Sequence, residues 1–146
     1  MIVYLDSSVL ARAYLPDEDG HACATDLLRD PEIAAVTGTW TRVEVSGALV
    51  RAARIGRGDE HGLLAALDGD LGGDGPVTTL AAPQEQVEGQ ALRLVREHGL
   101  RAMDAWHLAT ATLTVPHLLD RGEVAAFASR DTAQMSVAVL LGFAPA

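Results

Sequence analysis

Four acidic residues stand where a folded chain gathers carboxylates for chemistry. Asp6 closes the apolar run Ile2-Val3-Tyr4-Leu5 and is followed by Ser7-Ser8. Glu44 lies in Thr41-Arg42-Val43-Glu44-Val45, and Asp104 opens Asp104-Ala105-Trp106-His107-Leu108-Ala109-Thr110-Ala111. Asp131 follows the run from Val124 to Arg130. Two of the four fall where an apolar strand would end, and two near the start of a helical stretch. In an open α/β sheet those places gather at the carboxyl edge of the strands, where ligand sites form. Carboxylates brought together there repel one another unless a hard divalent cation neutralises them, and all-oxygen donors suit Mg²⁺ or Mn²⁺.

Each acid also has a purely local reading. Asp6 and Asp131 are good helix N-caps. Thr41 and Glu44 match the capping box, in which a Thr is followed three residues later by a Glu. Asp104 fits a first-turn acid stabilised by the helix macrodipole. What separates these four from the rest is their apolar surroundings. Asp17, Glu18, Asp19, Asp59, Glu60, Asp74, Glu85, Glu88 and Glu97 fall in polar stretches and read as ordinary surface.

The elements that must position the four acids follow from periodicity and punctuation. Ile2–Leu5 reads as a short buried strand, and Val9–Leu15 as one or two helical turns stopped by Pro16. Residues 18–29 predict a helix, and Ile33–Val36 a second strand. Val45, Ala48, Leu49, Ala52 and Ala53 recur at helical spacing over 41–55, with Gly56 as the stop. A helix over 59–71, the loop Gly72-Gly73-Asp74-Gly75-Pro76 and a strand over 77–80 come next. Helices over 83–98 and 102–114, a turn over 116–120, a strand over 124–128, a helix over 131–141 and an edge strand at Phe143-Ala144 complete the order. Short apolar strands alternating with helices predict an α/β fold with a parallel sheet covered on both faces.

Composition bounds the rest. The chain has 146 residues, 49% hydrophobic and 21% charged, which describes one globular domain with a real core. No stretch is long enough to span a bilayer and no basic leader precedes the first strand, so a cytoplasmic protein without membrane contact is expected. Cys23 is the single cysteine, which excludes an internal disulfide. It sits between two alanines and is expected in or beside the core. All eleven basic residues are arginine, and the net charge is −9. Long-range steering would repel a polyanion, so nucleic-acid binding would have to rest on local arginines and bound metal.

The order of the motifs carries a resemblance. An apolar strand ending Asp-Ser-Ser, a helix with Glu44, Val45, Ala48, Leu49 and Arg51, the Asp104–Ala111 segment, and an apolar strand ending Ser129-x-Asp131 resemble the PIN-domain ribonucleases. The chain is most similar to the VapC toxins of type II toxin–antitoxin pairs, from Ile2 to Gly142. The connection over 113–122 is longer than usual between the third and fourth acids. The resemblance implies a three-layer α/β/α fold with a mostly parallel central sheet, one PIN-like domain over residues 1–146. It implies a metal-dependent endoribonuclease in which Asp6, Glu44, Asp104 and Asp131 are catalytic and one or two Mg²⁺ or Mn²⁺ ions are held. Asp6, Asp104 and Asp131 are the candidate metal ligands. Such ions polarise the scissile phosphate, activate a water and stabilise the leaving oxygen, so no serine, cysteine or histidine nucleophile is required.

Around the acids, Ser8 and Ser129 are candidates to hydrogen-bond the carboxylates from outside the metal, with turn bonding as the alternative. Arg12, Arg42, Arg51, Arg101 and Arg130 are candidates for phosphate contact or pairing with an acid. His107 is a candidate RNA contact or, by its place beside the sheet, a packing residue. Trp40 and Trp106 read as core or dimer interface. The resemblance further implies a homodimer and a VapB-like antitoxin whose basic group enters the acidic pocket. Two other classes compete. A catalytically silent PIN-like module would bind RNA or protein only, and a related nuclease would cut structured DNA. Aspartyl-phosphate enzymes need a lysine, which this chain lacks.

Overall fold

A computed structural model describes all 146 residues. Five strands form one sheet: β1 (Ile2–Leu5), β2 (Ala34–Gly38), β3 (Val77–Leu80), β4 (Ala125–Ala128) and β5 (Ala144–Pro145). Their order is β3-β2-β1-β4-β5, and every pairing is parallel. Seven helices cover it: α1 (Ser7–Leu10), α2 (His21–Arg29), α3 (Thr41–Arg54), α4 (Glu60–Asp70), α5 (Gln84–His98), α6 (Ala102–Thr114) and α7 (Thr132–Leu140). The result is the expected three-layer α/β/α arrangement. The central strands β1 and β4 are continuous apolar runs because both their faces are buried, whereas the edge strand β3 exposes Thr78 and Thr79.

The pleat divides the core into two equal clusters. Ile2, Tyr4, Val36 and Phe127 point to one face and pack with α5, α6 and α7. Val3, Leu5, Ala35, Val77, Ala126 and Ala128 point to the other and pack with α1 to α4. β1 is central, paired with β2 on one side and β4 on the other. The Tyr4 and Phe127 rings stack at 5.3 Å across the β1–β4 pair, and Phe143 meets Phe127 edge-on at 6.0 Å. Each buried aromatic contributes packing beyond the area it removes from water.

Most element boundaries fall within a residue or two of the expected ones. The helix expected from Glu18 begins at His21, because Gly20 takes a left-handed φ of 87° just before it. The longer connection after α6 forms a 3₁₀ turn over Val115–His117. Cys23 is exposed, not in the core: α2 buries Ala24 instead, and the neighbouring position lies about 100° further round the helix. Trp40 is 47% exposed, which removes it from the core. It meets Trp106 edge-on at 6.3 Å. No helix is long and apolar enough to cross a membrane.

Two glycines have opposite reasons to be glycine. At Gly38, the end of β2, an added Cβ would lie 2.6 Å from the Tyr4 hydroxyl. At Gly47, inside α3, it would meet only the tip of the Arg51 side chain, at 3.2 Å. Gly38→Ala is therefore expected to destabilise the fold by about 1–3 kcal/mol, the usual range for overpacking. Gly47→Ala is expected to stabilise it by roughly 0.5–1 kcal/mol, since Arg51 can swing aside and helix propensity improves. Urea unfolding of the two variants would check both signs.

Candidate active site

All four acids sit at the carboxyl edge of the sheet or on helices that begin there. Asp6 follows β1 and caps α1, accepting the Ser8 amide on Oδ2 at 3.0 Å. Asp131 follows β4 and caps α7, accepting the Gln134 amide on Oδ1 at 2.9 Å. Glu44 and Asp104 lie in the first turns of α3 and α6. The capping role of each Asp occupies one oxygen, and its second oxygen is left for other partners.

The capping box does not form. The Thr41 hydroxyl turns inward to Thr37, at 2.6 Å, and the N-cap of α3 is Trp40, with no side-chain cap. The Glu44 carboxylate goes elsewhere: Oε2 accepts from Ser7 Oγ at 2.7 Å and from His107 Nε2 at 2.6 Å. His107 Nε2 also stands 3.6 Å from Asp6 Oδ1, so the imidazole bridges two of the acids.

Asp6, Asp104 and Asp131 act on one another electrostatically. The Asp104 carboxyl is raised above its ordinary range, first by burial, then by the negative charges of Asp6 and Asp131, with Arg101 and His107 pulling weakly the other way. For Glu44, half-burial pushes upward, but the His107 and Ser7 hydrogen bonds outweigh it and hold the carboxyl below its ordinary range. Asp6 is only 5% exposed. Beyond its cap bond its side chain has only long contacts, to Gln134 Nε2 at 3.5 Å and His107 Nε2 at 3.6 Å.

Gln134 is a residue that reading the sequence missed. It is fully buried and touches three of the acids: its backbone amide on Asp131, its side-chain nitrogen on the Asp104 carbonyl at 3.0 Å and on Asp6. Its Oε1 is buried without a partner. Its place three residues after a capping Asp was the only signal. Ser7 was missed in favour of Ser8. The Ser8 hydroxyl accepts the Arg130 amide, and the Ser129 hydroxyl accepts the Asp131 amide, so both serve turns and neither touches a carboxylate.

The other candidates take different places. His107 is 1% exposed and so offers no surface to RNA. Arg42 reaches toward α4, to the Leu71 carbonyl and Asp68. Arg130 is exposed beside a small cleft of about 110 Å³ near Gly20 and Cys23. Arg12 binds the Ser8 and Asp19 carbonyls and pairs with Glu18. A groove of about 920 Å³ opens from Ser7, Ser8 and Glu44 along α3, and is lined by Arg12, Arg51, Arg54 and Arg57.

The donor set is chemically suited to a hard divalent cation: three neighbouring aspartates, of which Asp104 is raised by burial and by the charges of the other two, and a buried amide oxygen without a donor. No three His, Cys, Asp or Glu side chains are already drawn together as a ready cage. The fit is thus one of charge and donor type.

An α/β/α sandwich with a parallel sheet and acids at the carboxyl edge defines a class of open-sheet proteins with a ligand site there. Comparison with protein families matches residues 3–139 to the PIN domain, and the chain belongs to that family. PIN domains are generally nucleases that use divalent metal ions. A comparison with curated proteins returned no significant match.

The two perturbed acids predict opposite responses. A raised carboxyl stabilises the fold below the ordinary carboxylate range, and that contribution is lost as pH rises through the raised value; a lowered one contributes above that range and loses it as pH falls. In chelator at neutral pH, Asp104→Asn is expected to raise the melting temperature by a few degrees, a gain that vanishes near about pH 4. Glu44→Gln is expected to lower stability by about 1 kcal/mol at neutral pH, the scale of a partly exposed charge-assisted hydrogen bond. Thermal melts across pH would check both.

Proposed function

We propose that the chain is a single-domain, metal-dependent endoribonuclease, the VapC-like toxin of a type II toxin–antitoxin pair. The observation that carries this reading is the set of four acids at the sheet edge of a PIN-family chain, with Asp104 raised by burial and then by Asp6 and Asp131. Asp6, Asp104 and Asp131 would hold Mg²⁺ or Mn²⁺, and Glu44 would orient the attacking water. The bound ion would polarise the phosphate and supply a hydroxide-like nucleophile near neutral pH. This chain's residues do the rest. The caps on Asp6 and Asp131 each take one carboxylate oxygen and leave the other without a backbone donor, able to bind the ion, and Gln134 links the turns that carry Asp6, Asp104 and Asp131.

The groove along α3 supports a polyanionic substrate. Its lining carries four arginines against Glu18 and Glu44, a local reversal of sign on a chain of net charge −9. Arg57 is tied to Asp17 and Glu18, and Arg12 to Glu18. Arg51 and Arg54 carry no ion pair, and lie two and three helical turns beyond Glu44. A homodimer, a basic antitoxin segment over the acids and a cytoplasmic location belong to the same reading. They rest on the resemblance and on the net acidity.

Cleavage of a mixed RNA pool with Mg²⁺, with Mn²⁺ and with chelator tests the reading. Metal-dependent cleavage is expected, and Asp6→Asn should lower it by more than the roughly 10–100-fold that losing an outer partner of a metal ligand costs. Equal cleavage of a DNA of the same sequence would overturn the ribonuclease assignment. Absence of cleavage in every condition would favour the silent binding module.

For the groove, Arg51→Ala is expected to raise KM severalfold with kcat little changed. It should also reduce the salt slope of RNA binding by about 0.7, the value of one single-strand phosphate contact. Binding of an oligonucleotide to the Asp104→Asn protein across a salt series would measure that slope.

A further inference from the structure

The four acids leave unexplained the buried group that stands among them. His107 lies on α6 and is 1% exposed. Both ring nitrogens are engaged: Nδ1 with the Tyr4 hydroxyl at 3.1 Å, and Nε2 with Glu44 Oε2 at 2.6 Å and Ser7 Oγ at 3.0 Å.

The direction of this chain can be worked out from its two ends. Tyr4 is fully buried in β1, and a tyrosine phenol carries its proton at neutral pH. An ionised carboxylate only accepts, so at 2.6 Å from Glu44 Oε2 it is Nε2 that carries the ring hydrogen, and the bare Nδ1 of the neutral ring takes the phenol proton at 3.1 Å. An imidazole nitrogen that accepts leaves the hydrogen on the other one. That hydrogen, on Nε2, points at Glu44. Glu44 Oε2 then receives two donors, the imidazole N–H and the Ser7 hydroxyl, while Oε1 has no protein partner.

A histidine serving only as core filling would need neither a second donor on Glu44 nor a tyrosine held at its back. Here the approach is also built into the sheet. The phenol oxygen fits only because residue 38 lacks a side chain, an added Cβ there falling 2.6 Å from it.

We propose that Tyr4 and His107 are positioning residues for Glu44. The phenol fixes the imidazole in the Nε2–H tautomer, and that N–H, with Ser7, clamps one Glu44 oxygen and presents the other to the reacting water. The last clause rests on the nuclease reading; the clamp itself does not.

Two measurements on the full-length protein separate these parts. Long-range proton–nitrogen correlation on ¹⁵N-histidine-labelled protein reads the tautomer directly. Wild type should show His107 as Nε2–H, and Tyr4→Phe, nearly isosteric and lacking only the donor, should shift it toward a mixture. An Nδ1–H tautomer in wild type, or an unchanged spectrum in Tyr4→Phe, overturns the proposal. In cleavage assays, His107→Asn withdraws the Nε2 donor and should lower kcat about tenfold, the factor of one charge-assisted hydrogen bond, with KM nearly constant. His107→Gln, whose amide nitrogen reaches the place of Nε2, should recover most of that loss. Folded His107→Asn protein that cleaves like wild type overturns the positioning role. If wild type cleaves no RNA, the nuclease reading falls, and the nitrogen spectrum still decides whether the clamp exists.

Discussion

Mutual repulsion among carboxylates at one edge of the sheet is the constraint to which the rest of the structure answers. Asp104 resists ionisation through burial and through the charges of Asp6 and Asp131, which Arg101 offsets only weakly. Such an arrangement persists only if the elements carrying it cannot move apart. Here two packed clusters of sixteen buried residues hold the sheet from both sides. Asp6 and Asp131 follow adjacent parallel strands whose register is set pair by pair from Ile2–Ala125 to Leu5–Ala128. The amide of Asp6 itself extends that ladder to the Ala128 carbonyl, so the first acid is fixed to the strand that carries the fourth. Interiors this closely packed deform little, and burial together with repulsion at their edge shows as a raised proton affinity at Asp104.

The same edge explains how much was legible beforehand. Short apolar runs with an acid at the end announce strand, turn and helix together, and Asp6 and Asp131 were readable for that reason. Glu44 was ambiguous because Thr41-x-x-Glu is a local pattern, and only the three-dimensional partner of Glu44 decides where its carboxylate goes. That partner, His107, lies sixty-three residues away. Gly38 is a comparable case: nothing in the sequence near residue 38 mentions the Tyr4 hydroxyl that needs its space. Serine was read at the wrong position for a related reason. Ser7 and Ser8 are adjacent, and one residue along a helix turns the side chain through about 100°. Cys23 was misplaced by the same rotation. Contacts set by periodicity were accessible; contacts set by the meeting of distant elements were not.

Net charge proved a poor guide to any particular surface. A chain of charge −9 repels a polyanion at long range, yet beyond about a Debye length that field is screened, and the local sign governs contact. Along α3 the local sign is reversed. Gly47 takes part in this, since its missing side chain lets the Arg51 guanidinium lie back along the helix toward Glu44. A residue costing helix stability thus sits where a folded-back cation would otherwise be crowded.

The acids divide into two electrostatic kinds, and the division follows from their partners. Asp104 feels the negative charges of Asp6 and Asp131, with a neutral glutamine amide linking the turns the three occupy. Glu44 faces donors, a hydroxyl and an imidazole, and its carboxyl is held low. Three repelling aspartates attract a cation because ionisation is unfavourable without one. A carboxylate already satisfied on one oxygen gains less from a cation and is better suited to accept a hydrogen bond at the other. For Asp6 and Asp131 capping does not compete with other roles: the cap uses one oxygen and fixes the direction of the second. For Glu44 the cap was never formed, and a buried imidazole does that fixing from the far side of the sheet edge.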